Sequence, residues 1–460
     1  VYAFSGFAIS WSQFVTAGFS MIWIPALFWS IEKYFKNKNT KYLLLFPVAA
    51  FLLMTAGHFQ ALIFGLIAVS LYFLWNLFLS NDDKIKSLLL YFLSIGMSAG
   101  LMAIQILPTL EYLPQSVRAT EKYTSDINFG LLPIKNLLTI FAPDYFGNPT
   151  TGNYWGYLNY HETVLYTGVI GLLVLIASFY WFKSLKKDLF FFLLAIISLI
   201  LVFDNPISHF FYNSNFPLLT TSVAGRLIII YTFSASVLVA WWLDIIKKQT
   251  LKRIIKVYWW LPLAIFMSFL ITFAYYKYYL EFPRLTDWAA QTKTAFRNLV
   301  FPSLILSLTF ISLLFRRNKY FIIFIIAITF FDLFRFGHKY TPFVKREYVF
   351  PEDKALSFIK SQEGEFRVER EKGPILPPNT WTAYGLESTA GYDPMAPLNS
   401  SHYYLKYLNG FANSSASRYT ELENYNLEEL SEANVRYLLA IRRNEKQDYT
   451  ENGEHVYNKI

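Results

Sequence analysis

The chain has 460 residues, of which 54% are hydrophobic, 20% aromatic and only 16% charged. Soluble globular proteins usually carry about a quarter charged residues, so this composition predicts a membrane protein. The formal net charge is +9, but the lysines lie in short clusters between apolar segments. Membrane topology explains such clusters, and we therefore expect no nucleic-acid partner. The sequence has no cysteine, which excludes disulfides, thiolate metal sites and a cysteine nucleophile.

The sequence begins at Val1 and has neither the charged n-region nor the apolar h-region of a signal peptide. We expect it to be a fragment that lacks the N-terminal part of its protein. The sequence ends at EHVYNKI without a closing element, so we expect the C-terminal region to be incomplete as well.

Apolar segments recur along the chain, each close to the length of about 20 residues that crosses a bilayer as a helix. They predict an all-α polytopic membrane protein with about ten transmembrane helices. In chain order the segments cover residues 14–31, 42–56, 61–79, 88–107, 163–182, 189–203, 227–243, 257–279, 299–315 and 320–336.

The loops between these segments alternate between two kinds. One kind is short and basic, as in EKYFKNKNTK, KSLKK and KKQTLKRIIK. The other kind includes GHFQ, the long loop 108–162 and everything after residue 337. The positive-inside rule places the basic loops in the cytoplasm and the others outside. We therefore predict a transmembrane domain over residues 1–336, with an outer loop at 108–162.

Residues 337–460 differ in composition from the rest of the chain, because they are rich in charged side chains. Residues 351–362 have the Pro, Glu and Asp of a helical first turn, and the strand-like EFRVER follows. Further on, LEELSEANVRYLLAIRR is typical of a short helix that leads into a strand. This order predicts a small extracytoplasmic α+β domain.

The polar segment 141–162, FAPDYFGNPTTGNYWGYLNYHE, combines carboxylates with closely spaced aromatic side chains. Asp144 and Glu162 are its acids, and Tyr154, Trp155 and Tyr160 are among its aromatics. A sugar stacks its C–H faces on rings and hydrogen-bonds its hydroxyls to carboxylates and amides. Aromatics at a membrane interface are the alternative interpretation.

Four other side chains near predicted span ends are candidates for an outer site. His58 and Gln60 lie in the turn AGHFQA, either as an exposed hairpin tip or as a cavity lining. Glu111 and Arg118 lie in LPTLEYLPQSVR, either as an ion pair or helix cap or at the mouth of the cavity. Arginine suits a phosphate because its planar fork makes bidentate hydrogen bonds.

Arg226 lies at the outer entrance of the seventh predicted span, in TTSVAGRLIIIY. A side chain that snorkels to the interface is the usual role of such an arginine. Positive charge is disfavoured on the outer side, however, so a bound phosphate is the competing interpretation. The six histidines have no metal-ligand spacing, and nucleotide-binding and hydrolase motifs are absent.

Several motifs, in this order, resemble the bacterial YfhO family of membrane proteins. They cover nearly the whole chain: SGFAISWSQF, AGHFQ, LPTLEYLPQSVR, FAPDYFGNP, ETVLYTGVIGLLVLI, SVAGRLIIIYTFSASVLVAWWLD and AGYDPMAPLNSSHYYLKYLN. Proteins of this family are regarded as relatives of the GT-C glycosyltransferases, which use a polyprenyl-phosphate-linked sugar outside the cytoplasm.

The resemblance implies a multi-pass protein of the bacterial cytoplasmic membrane that glycosylates an envelope glycan or polymer. A carboxylate, Asp144 or Glu162, would be the general base on the acceptor hydroxyl. Arg118 and Arg226 would bind the donor phosphate, with a divalent metal as an alternative source of positive charge. The sugar or acceptor would contact the remaining candidates, which are His58, Gln60, Glu111, Tyr154, Trp155 and Tyr160.

One departure from the GT-C pattern bears on the catalytic residue. GT-C enzymes usually hold their catalytic acid in the first outer loop, and we expect that loop to lie upstream of Val1. Two other classes of function stay open at this point. One is a transporter or flippase for a lipid-linked glycan, for which charged or broken helices near the bilayer midplane are typical. The other is a non-catalytic envelope protein that binds glycans.

Overall fold

A computed structural model gives the fold of the chain. It describes residues 1–119, 130–181, 186–213, 223–281, 287–341, 343–373, 375–408, 417–418, 420, 422, 424–442 and 454–459. The described part of the chain is mostly helical.

The helices are numbered in chain order through the described residues. They are α1 Gly6–Ser12, α2 Ala17–Met21, α3 Ile24–Asn37, α4 Leu45–Thr55, α5 Phe59–Leu79, α6 Lys84–Tyr112, α7 Leu138–Phe141, α8 Gly168–Trp181, α9 Lys186–Val202, α10 Pro206–Asn213, α11 Ile228–Ile246, α12 Leu251–Tyr258, α13 Leu261–Glu281, α14 Asp287–Leu314, α15 Phe321–Tyr340, α16 Lys354–Lys360, α17 Leu398–Tyr403 and α18 Leu427–Glu432. The strands are β1 Arg367–Arg370, β2 Val435–Arg442 and β3 Glu454–Lys459.

Within the described residues, five helical segments are long and apolar enough to cross a membrane. A sixth is added if α12 and α13, which are bent by 43° at their junction, form one span. The five are Phe59–Leu79, Lys84–Gln115, Ala224–Ile246, Ala290–Leu314 and Phe321–Tyr340. The prediction of a helical membrane protein agrees with this set, whereas the predicted number of about ten spans is larger.

The remaining predicted segments form shorter or broken helices in the described part of the chain. Residues 14–31 divide between α2 and α3, and Pro25 lies in the first turn of α3, where proline is favoured. At the start of segment 163–182 the backbone is held by other contacts. Thr163 O accepts a hydrogen bond from Thr139 Oγ1 at 3.1 Å, and Tyr166 O accepts one from Gly6 N at 2.7 Å. Helix α8 therefore begins only at Gly168.

Two compact units make up the chain. The first comprises Val1–Ala103 and Tyr123–Pro342, and it contains most of the apolar helices. The second comprises Ile104–Lys122 and Phe343–Ile460. The predicted domain boundary follows residue 336, and the later stretch of the second unit begins at Phe343. The segment 104–122, which the sequence predicts as the end of span 88–107 and the start of the outer loop 108–162, belongs to the second unit.

The second unit contains the sheet, in which β1 pairs with β2 in parallel and β2 pairs with β3 antiparallel. The helix predicted within residues 351–362 corresponds to α16, and the strand predicted at EFRVER corresponds to β1. The helix and strand predicted in LEELSEANVRYLLAIRR correspond to α18 and β2. Glu369 in β1 is buried, and its Oε1 accepts hydrogen bonds from Ser388 Oγ at 2.7 Å and Ala390 N at 3.0 Å. This carboxylate thereby ties β1 to the loop beside it.

An apolar cluster in the first unit connects the polar segment 141–162 with the last apolar helix. Tyr160, Val164 and Tyr166 pack against Leu333 and Phe336 of α15. This packing holds the end of the polar segment beside a candidate membrane span.

Candidate functional site

The segment 141–162 folds back on itself through a tight turn. Gly147 has φ +81°, and a Cβ there would lie 2.0 Å from Asn153 O, so only glycine fits this position. Asn148 Oδ1 accepts a hydrogen bond from Thr150 N at 2.9 Å and begins a short helix at Pro149. The turn brings Asn148 back toward Asp144, which lies near the start of the segment.

Asp144 is buried and is the centre of a polar network, which we call the Asp144 network. Its Oδ1 accepts hydrogen bonds from Asn148 Nδ2 at 2.8 Å and from Tyr160 OH at 2.7 Å. Its Oδ2 pairs with Lys339 Nζ of α15 at 2.6 Å. The backbone carbonyl of Asp144 accepts a further bond from Asn298 Nδ2 of α14 at 2.5 Å. The residue therefore fastens the polar segment to two apolar helices.

The second acid of the segment, Glu162, forms a buried ion pair with Arg226. Arg226 donates to Glu162 Oε1 through Nε at 3.1 Å and through NH2 at 3.0 Å. The Glu162 side chain is 6% exposed and that of Arg226 is 27% exposed. A charge-assisted contact of this kind is among the stronger polar interactions in proteins.

Local sequence features position the two partners of this ion pair. Glu162 ends the short helix Tyr160–Glu162, and Arg226 lies in Ala224–Leu227, which leads into α11. Gly225 allows the backbone segments of Glu162 and Arg226 to approach each other closely, because a Cβ at Gly225 would lie 2.9 Å from Glu162 O. The positive end of the α11 dipole lies in the same turn and also favours negative charge.

Gln60 completes the hydrogen bonding of the guanidinium. Arg226 NH1 donates to Gln60 Oε1 at 3.2 Å, and Gln60 Nε2 in turn donates to Val223 O at 2.9 Å. The guanidinium also lies over the ring of Trp11, 5.2 Å from its centroid. We call Trp11, His58, Gln60, His161, Glu162 and Arg226 the Arg226 cluster.

Two histidines complete the Arg226 cluster through contacts with Trp11. The ring centroids of His58 and His161 lie 5.4 and 4.9 Å from that of Trp11, both edge to face. His58 Nδ1 accepts a hydrogen bond from Ala61 N at 3.2 Å and caps α5, a role that the sequence did not predict. Trp11 Nε1 is buried and has no hydrogen-bond partner among the described residues.

The electrostatics of the cluster keep both histidines neutral. Burial, assisted by the charge of Arg226, lowers the pKa of His58 to about 3 and that of His161 to about 4. Burial raises the pKa of Glu162, and the contact with Arg226 opposes this rise. The cluster thus combines one buried carboxylate, one cation and two neutral imidazoles.

The stability of the protein is expected to fall as the pH decreases from about 6.5 toward about 4. The pKa of His161 is about 4 in the folded chain against 6.5 when unperturbed, so the unfolded chain binds more protons in this range. Stability therefore rises with pH through the window, by on the order of 3 kcal/mol for this residue. Thermal unfolding in detergent at several pH values measures the slope for the wild type and His161→Asn.

The variant should show a shallower pH dependence than the wild type. His402, which is exposed and lies in the other unit, provides the matched control His402→Asn. Equal slopes for the wild type and His161→Asn would contradict this description of the cluster.

The remaining predicted site residues fall into two groups. Tyr154 and Tyr160 belong to the polar segment and are packed edge to face at 5.4 Å, and Trp155 packs on Phe146 at 4.9 Å. Tyr160 is buried, and burial beside Asp144 raises its pKa well above the usual value. The Trp155 ring thus packs within the segment, whereas the Tyr160 ring also stacks on Tyr340 of α15, with 5.3 Å between the ring centroids.

Glu111 and Arg118 belong to the second unit. Glu111 is exposed at the end of α6, and Arg118 Nε donates to Pro394 O at 3.0 Å. In the same segment, Tyr112 OH donates to Met395 O at 2.8 Å. The structure therefore places Arg118 against DPM of the AGYDPM motif and assigns Arg118 and Arg226 to different units.

Several members of these two networks were not predicted as site residues: Trp11, Asn148, His161, Asn298 and Lys339. A signal existed for Lys339, because FFDLFRFGHKY places Asp332, Arg335 and Lys339 at helical spacing in an apolar helix, where ionisable groups are costly.

The described residues contain no group of three or more histidine, aspartate or glutamate side chains arranged to hold a metal ion. Arg226 and Lys339 are the cations that contact the carboxylates of the polar segment. Comparison with protein-family models, with curated proteins and with solved structures found no match for this chain. The YfhO and GT-C resemblance rests on the sequence motifs alone.

Proposed function

We propose that this protein is a membrane glycosyltransferase of GT-C type in the YfhO family. It would transfer a sugar from a polyprenyl-phosphate-linked donor to an envelope glycan or polymer on the outer face of the bacterial cytoplasmic membrane. The observation that carries the proposal is the buried Arg226–Glu162 pair, with Gln60 and two neutral histidines around it, at the ends of apolar helices.

The pair supplies the two groups that such a transfer requires. The donor leaves as a phosphate, and Arg226 together with the N-terminal end of α11 offers positive charge for it. The acceptor hydroxyl must lose a proton, and Glu162 is a carboxylate whose pKa burial raises. A base with a raised pKa is closer to the working pH, where general base catalysis is most effective.

The donor phosphate competes with Glu162 for the guanidinium, because both are anions that bind the same fork. When phosphate takes the guanidinium, Glu162 loses its counter-charge and becomes a stronger base. The acceptor oxygen then attacks the anomeric carbon as its proton moves to Glu162. The bond from that carbon to the phosphate oxygen breaks, and polyprenyl phosphate leaves with the electron pair.

Asp144 has a supporting role in this mechanism and stays the second candidate base. Both of its carboxylate oxygens already accept hydrogen bonds, from Asn148, Tyr160 and Lys339. A carboxylate held by three donors is suited to fixing the polar segment beside α15. Tyr154 and Trp155 would border the sugar or acceptor. Arg118 and Glu111, which belong to the second unit, stay predictions from the sequence alone.

The proposal includes a membrane topology with about ten spans. The shorter apolar helices Thr40–Thr55, Gly168–Trp181 and Asp188–Val202 would cross the bilayer together with the longer ones. The predicted segment 14–31 would supply the tenth span. The positive-inside rule then places segment 141–162 and the C-terminal unit outside the cytoplasm. Nucleotide sugars are not available outside the cytoplasm, so the sugar donor there would be a lipid-linked one.

A transfer assay tests the proposed function. Purified protein in detergent, mixed with a polyprenyl-phosphate sugar and an envelope polymer, should release polyprenyl phosphate and glycosylated polymer in equal amounts. The matched control is the Arg226→Gln variant. Absence of turnover, together with movement of the lipid-linked sugar across the membrane of liposomes that contain the protein, would contradict the glycosyltransferase and support a flippase.

The flippase is the second candidate, and one buried acid bears on it. Asp332 lies within the candidate span Phe321–Tyr340, and its carboxylate accepts hydrogen bonds from Tyr166 OH and, at 3.0 Å, from Val169 N. An ionisable side chain within a membrane span is typical of a transport path. Here the two donors belong to the start of α8 and the residues before it, which favours a structural role for Asp332.

A further inference from the structure

Helix α12 lies in a strongly basic stretch between two apolar segments and is bent away from the helix that follows it. The stretch KKQTLKRIIK, residues 247–256, contains five lysines or arginines and no acid among its ten residues. Thr250 Oγ1 accepts a hydrogen bond from Arg253 N at 3.3 Å and starts the helix. The helix axis is bent by 43° from that of α13, so α12 does not simply continue the span that follows.

One face of α12 is fixed to the helices of the first unit. Ile254, Val257 and Tyr258 are each at most 1% exposed. Tyr258 OH accepts a hydrogen bond from Trp242 Nε1 of α11 at 3.0 Å and donates to Leu173 O of α8 at 3.4 Å. This anchoring fixes which side chains of α12 face outward.

The outward side of α12 has an apolar strip and a basic strip next to each other. Leu251 and Ile255 of α12, and Trp259 directly after its last residue, recur every four residues and are 46%, 54% and 65% exposed. Because an α-helix turns by 100° per residue, the next positions around the helix, beside the apolar strip, form a basic strip. It consists of the exposed side chains Lys252, Arg253 and Lys256.

A neighbouring loop adds positive charge at the start of α12. Arg316, in the turn between α14 and α15, is buried, and its Nε donates to Gln249 O at 3.1 Å. The exposed Arg317 follows it in sequence. The basic loops KKQTLKRIIK and RRNK, which the sequence predicts on the same side of the membrane, are therefore in contact at Gln249 and Arg316.

We propose that α12 is a binding site for anionic phospholipids. Its basic strip would contact the lipid phosphate, and its exposed apolar strip would insert among the acyl chains. An amphipathic helix with a lysine- and arginine-rich polar face and an exposed tryptophan has the properties of an interfacial helix. Each basic side chain near an anionic membrane surface contributes about fivefold in affinity. The charge of the site therefore favours an anionic headgroup over a zwitterionic one.

Fluorescence quenching by brominated lipids tests this site directly, because Trp259 lies in its apolar strip. Purified protein in detergent is titrated with brominated phosphatidylglycerol and, separately, with brominated phosphatidylcholine. We expect phosphatidylglycerol to bind about tenfold more tightly or better, with the preference weakened at high salt. The Trp259→Phe variant identifies the part of the quenching that arises at α12.

Two triple variants of equal charge loss give the decisive comparison. The site variant replaces Lys252, Arg253 and Lys256 with glutamine. The control replaces three exposed lysines of other basic segments, Lys36, Lys41 and Lys84, with glutamine. Only the site variant should lose the preference for phosphatidylglycerol. Equal affinity for the two lipids, an equal loss in both triple variants, or retention of nucleic acid instead of lipid at the site would overturn the proposal.

Discussion

Replacing Arg226 with glutamine is expected to lower the free energy of unfolding by about 3 kcal/mol and to remove donor binding. The variant leaves the Glu162 side chain, which is 6% exposed, without its counter-charge. Breaking a buried ion pair costs about 3–5 kcal/mol, and the lower figure applies because the Arg226 side chain is 27% exposed. Denaturant unfolding in detergent and titration with polyprenyl phosphate measure the two effects.

A double-mutant cycle separates the energy of the ion pair from the effect of changing the size of each side chain. Glu162→Gln combined with Arg226→Gln removes both charges and should restore much of the lost stability, because no buried charge is left unpaired. Arg226→Lys keeps the charge but loses the fork that contacts both Glu162 and Gln60, and it should bind donor more weakly than the wild type. Unchanged polyprenyl phosphate affinity in Arg226→Gln would make Arg226 a structural anchor only.

The Asp144→Ala variant is expected to have the second large effect, a loss of about 3–5 kcal/mol in the free energy of unfolding. It leaves the Lys339 ammonium, 25% exposed, without its carboxylate. It also leaves Tyr160 OH without the acceptor that lies at 2.7 Å in the wild type. Buried donors without acceptors are costly, so segment 141–162 should detach from α15. Thermal unfolding and limited proteolysis of the segment measure the change.

Asp204 offers a matched control for Asp144. Its side chain is 43% exposed and its carboxylate contacts His209 Nε2 at 2.6 Å. Exposed ion pairs contribute about 0–1 kcal/mol, so Asp204→Asn should change stability little, whereas Asp144→Asn should destabilise clearly. Similar effects of the two asparagine variants would contradict the anchoring role of Asp144.

The sequence predicted the members of the Arg226 cluster better than it predicted their contacts. Arg226, Glu162, Gln60 and His58 were identified because polar side chains at the ends of apolar segments stand out. That Arg226 pairs with Glu162, 64 residues away in the chain, depends on helix packing that has no local signal. The sequence does not mark Trp11 as a site residue, because an aromatic side chain in an apolar segment is typical of the core.

The bounds of the apolar helices were harder to predict for a physical reason. Apolar composition predicts where a chain is buried, but it does not separate a spanning helix from an extended segment held by long-range contacts. Residues 163–166 are apolar or small, yet Tyr166 O accepts a hydrogen bond from Gly6 N at 2.7 Å, and α8 starts later. Local signals succeeded better in the C-terminal unit, where Asp353 caps α16 through Leu356 N, as the acidic first turn predicts.

The role of Glu162 as base is tested most directly by measuring polyprenyl phosphate release from a polyprenyl-phosphate sugar, with wild type and Glu162→Gln in parallel. The wild type should release polyprenyl phosphate and glycosylate the acceptor. Glu162→Gln should be slower by at least about a hundredfold, the usual contribution of a general base, while binding polyprenyl phosphate as tightly or more tightly, since no carboxylate competes for Arg226. Equal rates of release by the two proteins would contradict the account.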